Sequence, residues 1–522
     1  MIDRPEGKPT TRDAAASPGS EHGYLAALKA NGLPPRRAIV SAEELRLDLA
    51  AEASETLARS ELLPGEGSAA ARRATYFDTP AQDLVAAGFT LAIRHAPEGD
   101  LQIVEAAGAP AGLFALPEWR QPVAGEVPKL DDSTPVRALL GRKAQDLGPV
   151  FRLQTRQRCW TLDWEGATIG LVLEQGQVTA GDRSAPLCEI GLVLQQGAPP
   201  ALFSLARRLD EIAPLRLGVL GEAERGYRLL GPVRNMHKAA PVALTGDMTA
   251  AESFRQIAGA CLRQFRLNEP LIGRSNPEAV HQARVALRRL RSALSIFKPM
   301  LQDDDAGRLN EESRWLAGML AEARDLDVLR TRCDAEALHA RLEPAREAAY
   351  GRAEAALASR RARRLMLDLA EYLAIGPWLA LPSGAEIRNL AAREFAASAL
   401  DRFRRKVKKE GRDLAELSDE ARHELRKDAK KLRYAAEFFA PLFGEKRRKR
   451  RAARFLDALE QLQDRMGALN DLVTAPELIE RLGLTDDPEA AALAGSDRDK
   501  QALIEAAAEA HDAFVDARRF WR

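Results

Sequence analysis

Val280-His281-Gln282-Ala283-Arg284-Val285-Ala286-Leu287-Arg288-Arg289-Leu290-Arg291 decides how half of this chain folds. At about 100° per residue, His281, Arg284, Arg288 and Arg291 fall within an arc of roughly 80°. Arg289 lies about 80° to the other side, and Ala283, Leu287, Leu290 and Leu294 occupy the opposite face. The segment reads as a helix with one buried side and a stripe of cations about 15 Å long.

The same spacing returns downstream. Offsets of +3, +7, +8, +9 and +10 from His281 give Arg284, Arg288, Arg289, Leu290 and Arg291; from His423 they give Arg426, Lys430, Lys431, Leu432 and Arg433. Leu425, Ala429, Leu432 and Ala436 back the second stripe. Each copy is followed by an aspartate, Asp325 in Ala-Arg-Asp-Leu-Asp and Asp471 in Leu-Asn-Asp-Leu, at intervals of 44 and 48 residues from the histidine. A half-domain is therefore repeated, with 142 residues between the histidines. Exposed helices ordinarily interleave acids at i+4 to relieve repulsion. These stripes do not, although Glu424 and Asp428 sit at the margin of the second. Uncompensated like charge costs stability unless an anion neutralises it, and a repeating polyanion does so with counterion release adding affinity.

The texture around the stripes fits long helices. From about residue 249 onward Ala, Leu, Arg and Glu dominate, and proline sits at plausible breaks such as Pro270, Pro277, Pro299, Pro377 and Pro441. Residues 233–248 read as a linker, with Asp247 or Thr249 placed to cap the next helix. Residues 36–232 are mostly strand-like: 90–94, 158–164, 168–174 and 188–194 are short and bounded by turn residues. Residues 201–212 have a helical period. Residues 1–35, rich in Ala, Pro, Gly and Ser, read as a flexible tail.

Net charge is +1 over 522 residues, so the total identifies no partner. Its distribution is more telling: residues 251–522 carry 50 Lys+Arg against 45 Asp+Glu, and residues 401–451 carry 19 against 10. The six cations from Arg402 to Lys409 and the run 446–451 extend the basic character. Cys159, Cys188, Cys261 and Cys333 show neither a CxxC pair nor ligand spacing, which fits free thiols in a reducing compartment. The polar first 20 residues have no apolar core of a signal peptide, and no run of 18 apolar residues occurs. A cytoplasmic location and no membrane partner are expected.

The stripe motif, Ala323-Arg324-Asp325-Leu326-Asp327-Val328 and residues 423–434 together resemble the CHAD family, the conserved-histidine α-helical domain, over residues 249–522. The resemblance implies two similar four-helix halves around a basic, histidine-lined channel that binds inorganic polyphosphate, often on polyphosphate granules. His281, Arg284, Arg288, Arg289, Arg291, His423, Arg426, Lys430, Lys431 and Arg433 are the expected polyphosphate ligands.

Tyr76-Phe77-Asp78-Thr79-Pro80, Leu91-Ala92-Ile93-Arg94 and Glu224-Arg225-Gly226-Tyr227 resemble the CYTH fold of the triphosphate tunnel metalloenzymes. That family implies a closed antiparallel β-barrel, acids holding Mg²⁺ or Mn²⁺, cations holding a triphosphate, and a metal-positioned water attacking phosphorus. This chain departs from the pattern. The Glu-x-Glu-x-Lys strand becomes Glu44-Leu45-Arg46-Leu47-Asp48. A phosphate-binding lysine becomes Glu105, Arg-x-Glu becomes Leu116-Pro117-Glu118, a late Glu-x-Glu becomes Glu189-Ile190-Gly191, and the lysine before Arg-Gly-Tyr becomes Glu222. Glu44, Glu118 and Glu189 remain as vestigial catalytic candidates, and Arg94, Arg156, Arg158 and Arg225 as phosphate-binding candidates in the barrel. No metal ligand is assigned.

The expected fold is an α+β multidomain chain: an N-terminal antiparallel β-barrel of tunnel type over 36–232, then an all-α domain of two duplicated four-helix bundles over 249–522. The expected function is polyphosphate binding, needing no cofactor, with a degenerate barrel. The alternative is an inorganic triphosphatase, needing Mg²⁺ or Mn²⁺, for which the helical half recruits substrate. No specific nucleic acid is expected, since no aromatic platform interleaves the stripes.

Overall fold

The computed structural model describes residues 39–40, 43–95, 99–106, 117–273, 276–332, 335–493 and 495–522. The expected tail, Leu116 and Cys333 lie outside them.

Ten strands form one antiparallel sheet: β1 (Ile39–Val40), β2 (Glu44–Leu49), β3 (Ser68–Asp78), β4 (Phe89–His95), β5 (Asp100–Ala106), β6 (Pro117–Val123), β7 (Gly148–Trp164), β8 (Ala167–Ala180), β9 (Arg183–Gln196) and β10 (Leu215–Leu217). Their order is β1-β6-β5-β4-β3-β7-β8-β9-β2-β10. Alternation along β2 sets the two faces. Leu45, Leu47 and Leu49 are buried against helices, and Glu44, Arg46 and Asp48 point to the other side. The register carries that second face through Glu189, Glu174, Thr155, Arg72 and Arg94 to Glu105 and Glu118. The sheet curls around it. Glu222 is influenced by both Arg94 on β4 and Arg46 on β2, which stand five strands apart in the sheet.

The curl has the tunnel form expected, but its ladder is open: among the described residues no hydrogen-bonded pairing joins β1 to β10. The β10 end is covered by side chains instead. Arg266 donates from Nε to the carbonyl of Leu217 at 2.8 Å, and Arg263 reaches the carbonyl of Val219. Arginines thus satisfy backbone acceptors that another strand would otherwise take.

Those arginines belong to the helical half. The helices used below are α1 (Ala51–Ala58), α2 (Pro200–Ile212), α3 (Glu222–Leu230), α4 (Ala250–Asn268), α5 (Pro277–Ile296), α6 (Asp304–Met319), α7 (Ala321–Thr331), α8 (Glu336–Ala358), α9 (Arg360–Ile375), α10 (Ala392–Glu410), α11 (Asp419–Phe439), α12 (Lys446–Arg481) and α13 (Asp497–Asp516). Thr249 and Glu252 form a capping box at the start of α4. The repeat is visible in the backbone. Ala250 N–H donates to the Leu390 carbonyl and Ala392 N–H to the Met248 carbonyl, each at 2.8 Å. This reciprocal bridge at the start of α4 and α10 is the signature of a two-fold relation between the copies. Phe297 and Phe439, equivalent residues after α5 and at the end of α11, meet with ring centroids 5.9 Å apart.

One apolar core runs from the outer face of β2, β8, β9 and α2 into α4, α5 and α11. Buried ion pairs cross the same boundary, including Arg363 Nε to Asp210 at 2.6 Å. Among the described residues no single helix is long and apolar enough to cross a membrane; a pair covering Arg360–Leu379 and Pro382–Asn389 passes only jointly and is bent by 89°.

Candidate functional site

The two stripes face each other. α5 starts with Asn276 capping Ala279 N–H and Pro277 in the first turn. α11 starts with Ser418 capping Ala421 N–H. Each helix buries the apolar face read from the sequence: Ala283, Leu287, Leu290 and Leu294 on one, Leu425, Ala429, Leu432 and Ala436 on the other. Arg288 bridges the copies, donating from Nε to Tyr434 Oη at 2.7 Å.

Around that bridge, cations crowd. Burial, then Arg426, Arg288 and Arg284, push the Lys430 ammonium down to about 7, against the opposing pull of Asp471. Burial and then Arg324, with Arg288 and Arg284 further down, hold His281 at about 4, with Glu278 opposing. Arg284, Arg288, Arg324, Arg426, Lys430 and His281 therefore form one electrostatic cluster drawn from both copies. Two acids relieve it: Asp325 lies 3.7 Å from Arg284, and Asp471 acts on both Arg426 and Lys430. These are the equivalent aspartates of the two repeats. Burial raises the Asp325 carboxyl, and Asp471 raises it further. The Nε of Arg426 is buried and makes no hydrogen bond among the described residues.

The remaining stripe residues go elsewhere. Arg289 pairs with Glu437 and lies 4.7 Å over the Phe438 ring. Arg433 pairs with Glu437 at 2.9 Å and Glu460 at 3.3 Å. Lys431 and Lys406 share Asp428, at 3.1 and 2.9 Å. Arg291 donates to Asn310. His423 is exposed, contacts Asn470 at 3.1 Å, and borders a cavity of about 270 Å³ lined by Arg426, Met466, Leu469 and Val473. The two histidines thus occupy unequal settings. Arg324, outside the stripes but quoted in the motif after them, joins the cluster.

The tunnel is a second charged interior. Tyr76, Phe151 and Tyr227 pack together beside it, with ring centroids 4.5 and 5.1 Å apart, against Gly226, where a Cβ would overlap the Phe151 ring. The polar part of the tunnel is self-paired. Glu44 holds Arg46 at 2.7 Å, Glu105 holds Arg94 at 3.2 Å, and Glu118 holds Arg120 at 2.6 Å. Arg225 reaches Asp48 at 2.7 Å and Glu189 at 3.4 Å. Arg72, which the sequence reading missed, bridges Glu174 and Glu222. Burial lifts Glu189 to about 7 despite Arg46 and Arg225. Glu222, opposed by burial, is pulled down to about 2 by Arg72, Arg94 and Arg46.

Two expected phosphate ligands are corrected. Arg156 is exposed, and Arg158 pairs with Glu55 of α1 at 2.6 Å. Both project from the face opposite Thr155 and Gln157, which point inward to Glu174. Glu222, read as a lost lysine, instead joins Glu174 and Glu189: ligand oxygens of the three lie within 4.8 Å of one another. That spacing suits a divalent cation. Yet Arg72 already bridges two of the three carboxylates, so the residues as arranged do not fit Mg²⁺ or Mn²⁺.

Family models place these two regions. The CYTH domain model matches residues 44–227, and the CHAD domain model matches residues 256–480. The CHAD domain of the plant Ricinus communis is 30% identical over 54% of this chain and 97% of its own, with a TM-score of 0.46. An inorganic triphosphatase of Haemophilus influenzae is 24% identical over 163 residues, 30% of this chain and 45% of that enzyme. The match thus spans less than half of that enzyme's length. An uncharacterized protein of Mycobacterium tuberculosis is 27% identical over 410 residues, 70% of this chain and 75% of its own length. The chain thus carries a CYTH domain over residues 44–227, followed by a CHAD domain over residues 256–480.

Proposed function

We propose that this protein binds inorganic polyphosphate through its helical half, at the cluster formed by Arg284, Arg288, Arg324, Arg426 and Lys430. The observation that carries the reading is the meeting of the two repeats at Arg288, whose Nε donates to Tyr434 Oη at 2.7 Å, with Arg284, Arg426 and Lys430 gathered around it and Asp325 3.7 Å from Arg284 for relief. Such a site is built at a cost in repulsion and is stabilised when phosphate oxygens enter. The only aromatic contact of the cluster's guanidiniums among the described residues is Tyr434, whose ring lies beside Arg288 and Arg289, so no open stacking platform favours nucleic acid. Association with polyphosphate granules follows from the same reading. The test is titration of long-chain polyphosphate onto the full chain at fixed salt. Replacing Arg284, Arg288, Arg426 and Lys430 together by Ala should abolish binding with little change in helix content; undiminished affinity sinks the assignment.

A second reading, a triphosphatase needing Mg²⁺ or Mn²⁺, is favoured by one observation, the close approach of Glu174, Glu189 and Glu222. The position of Arg72 counts against it. Phosphate release from tripolyphosphate with either metal separates the two readings.

A further inference from the structure

The carboxylate trio in the tunnel already holds a cation. Glu174, Glu189 and Glu222 come from β8, β9 and the first turn of α3, and all are buried. Arg72 Nη1 lies 3.0 and 3.2 Å from the two oxygens of Glu174 and also reaches Glu222, whose second oxygen accepts from Nη2 at 2.9 Å. Neutral donors occupy the rest: Thr155 and Gln157 on Glu174, the latter at 3.0 Å, and Tyr76 on Glu222 at 3.2 Å. Only Glu189 is loosely held, by Arg225 at 3.4 Å.

The fold fixes this arrangement. Arg72 pairs with Thr155 in the β3–β7 register, and Gln157 pairs with Glu174 in the β7–β8 register, so all four side chains share the inner face. The Arg72 side chain is 14% exposed.

We propose that the guanidinium of Arg72 is the resident cation of this cage, and that the tunnel takes no divalent metal until Arg72 is removed. A planar, permanently charged guanidinium matches two carboxylates at once. A metal entering the cage would have to strip Arg72 from both, leaving a buried arginine unpaired. The charge departures read in the sequence then have a common sense. An acid at 222 and a cation at 46 stand where the family has the reverse, and the interior is neutralised by its own side chains. This inference does not rest on the polyphosphate reading, and its failure leaves that reading intact.

The experiment uses the full chain as wild type, Arg72→Lys, Arg72→Met and Glu189→Gln. Mn²⁺ binding is read from the loss of the free-ion paramagnetic resonance signal, and melting temperature is compared in Mn²⁺ and in EDTA. The wild type and Arg72→Lys should bind no Mn²⁺ that Glu189→Gln removes, and should melt alike with and without metal. Arg72→Met should melt lower in EDTA, bind one Mn²⁺ per chain and regain part of its lost melting temperature with the metal. Mn²⁺ bound by the wild type and lost in Glu189→Gln overturns the proposal. So does a folded Arg72→Met chain that binds none. If Arg72→Met does not fold, the wild-type and Arg72→Lys arms decide alone: bound metal overturns the proposal and its absence supports it.

Discussion

Lys430 offers the sharpest handle on the helical half. Its ammonium titrates at about 7 because burial and the guanidiniums of Arg426, Arg288 and Arg284 disfavour the charge more than Asp471 favours it. An ordinary lysine titrates near 10.4. Phosphate oxygens placed in the cluster reverse the balance and raise the value, so binding takes up a proton at any pH between the free and bound values. The sign follows: the Lys430 contribution is full below about 7 and falls as pH rises through it. If the bound value lies above 9, raising pH from 7 to 9 weakens binding by roughly 50-fold, or about 2.3 kcal/mol. That figure is an upper bound, since the cluster's own arginines persist. His281, neutral in the free protein above about 4, adds a second arm on the acid side, with further tightening as pH falls toward that value. The assay is calorimetric titration of long-chain polyphosphate at constant ionic strength in two buffers of different ionisation enthalpy. Proton uptake near one per site at pH 8 is expected, and Lys430→Arg, whose charge does not titrate, should remove it. Affinity that is flat from pH 6 to 9, with no uptake at pH 8, would refute the argument that a suppressed ammonium marks the site.

Three further outcomes are expected. Arg288→Ala should weaken polyphosphate binding by about 1.5–3 kcal/mol, as for a charge-assisted contact, and lower the salt slope, while Arg433→Ala, already paired to Glu437 and Glu460, should change affinity less than about threefold; parallel titrations over a salt series compare them. The full chain should release phosphate from tripolyphosphate far more slowly than about 1 per second, the low end of ordinary turnover. A faster rate that Glu189→Ala abolishes contradicts the reading of the tunnel. Gly226→Ala should cost about 1–3 kcal/mol, seen as a lower melting temperature, because its Cβ would overlap the buried Phe151 ring.

The helices and their buried faces were legible because period and apolar spacing are local properties, and the repeat multiplied the signal. The convergence of the stripes was an expectation of the family resemblance and not of the duplication itself, and the reciprocal bridge at Ala250 and Ala392 shows how the copies are related. Which cations stay free was not legible along one helix face. The expectation that the stripes carry no i+4 acid fails at Arg433, which Glu437 takes one turn on, while Glu460 arrives from α12 and Lys406 reaches Asp428 from α10. In the sheet, Glu44, Arg46 and Asp48 alternate with the buried Leu45, Leu47 and Leu49 and share the inner face. The same alternation turns Arg156 and Arg158, named as barrel phosphate ligands, outward: Phe151, Leu153, Thr155 and Gln157 share one face, and the arginines fall on the other. Arg72 and Glu174 meet across 102 residues of chain, a distance no local pattern spans. The open ladder was equally hidden, since the residues that cover the β10 end, Arg263 and Arg266, lie in the other domain.

The most direct test of the central claim is an experimental structure of the full chain with a polyphosphate of defined length. Phosphates are predicted against Arg284, Arg288, Arg324, Arg426 and Lys430, between α5 and α11, with the Arg72 bridge to Glu174 and Glu222 unbroken. Phosphates seated instead in the tunnel against Arg46 and Arg94, with the helical cluster unoccupied, would contradict the account.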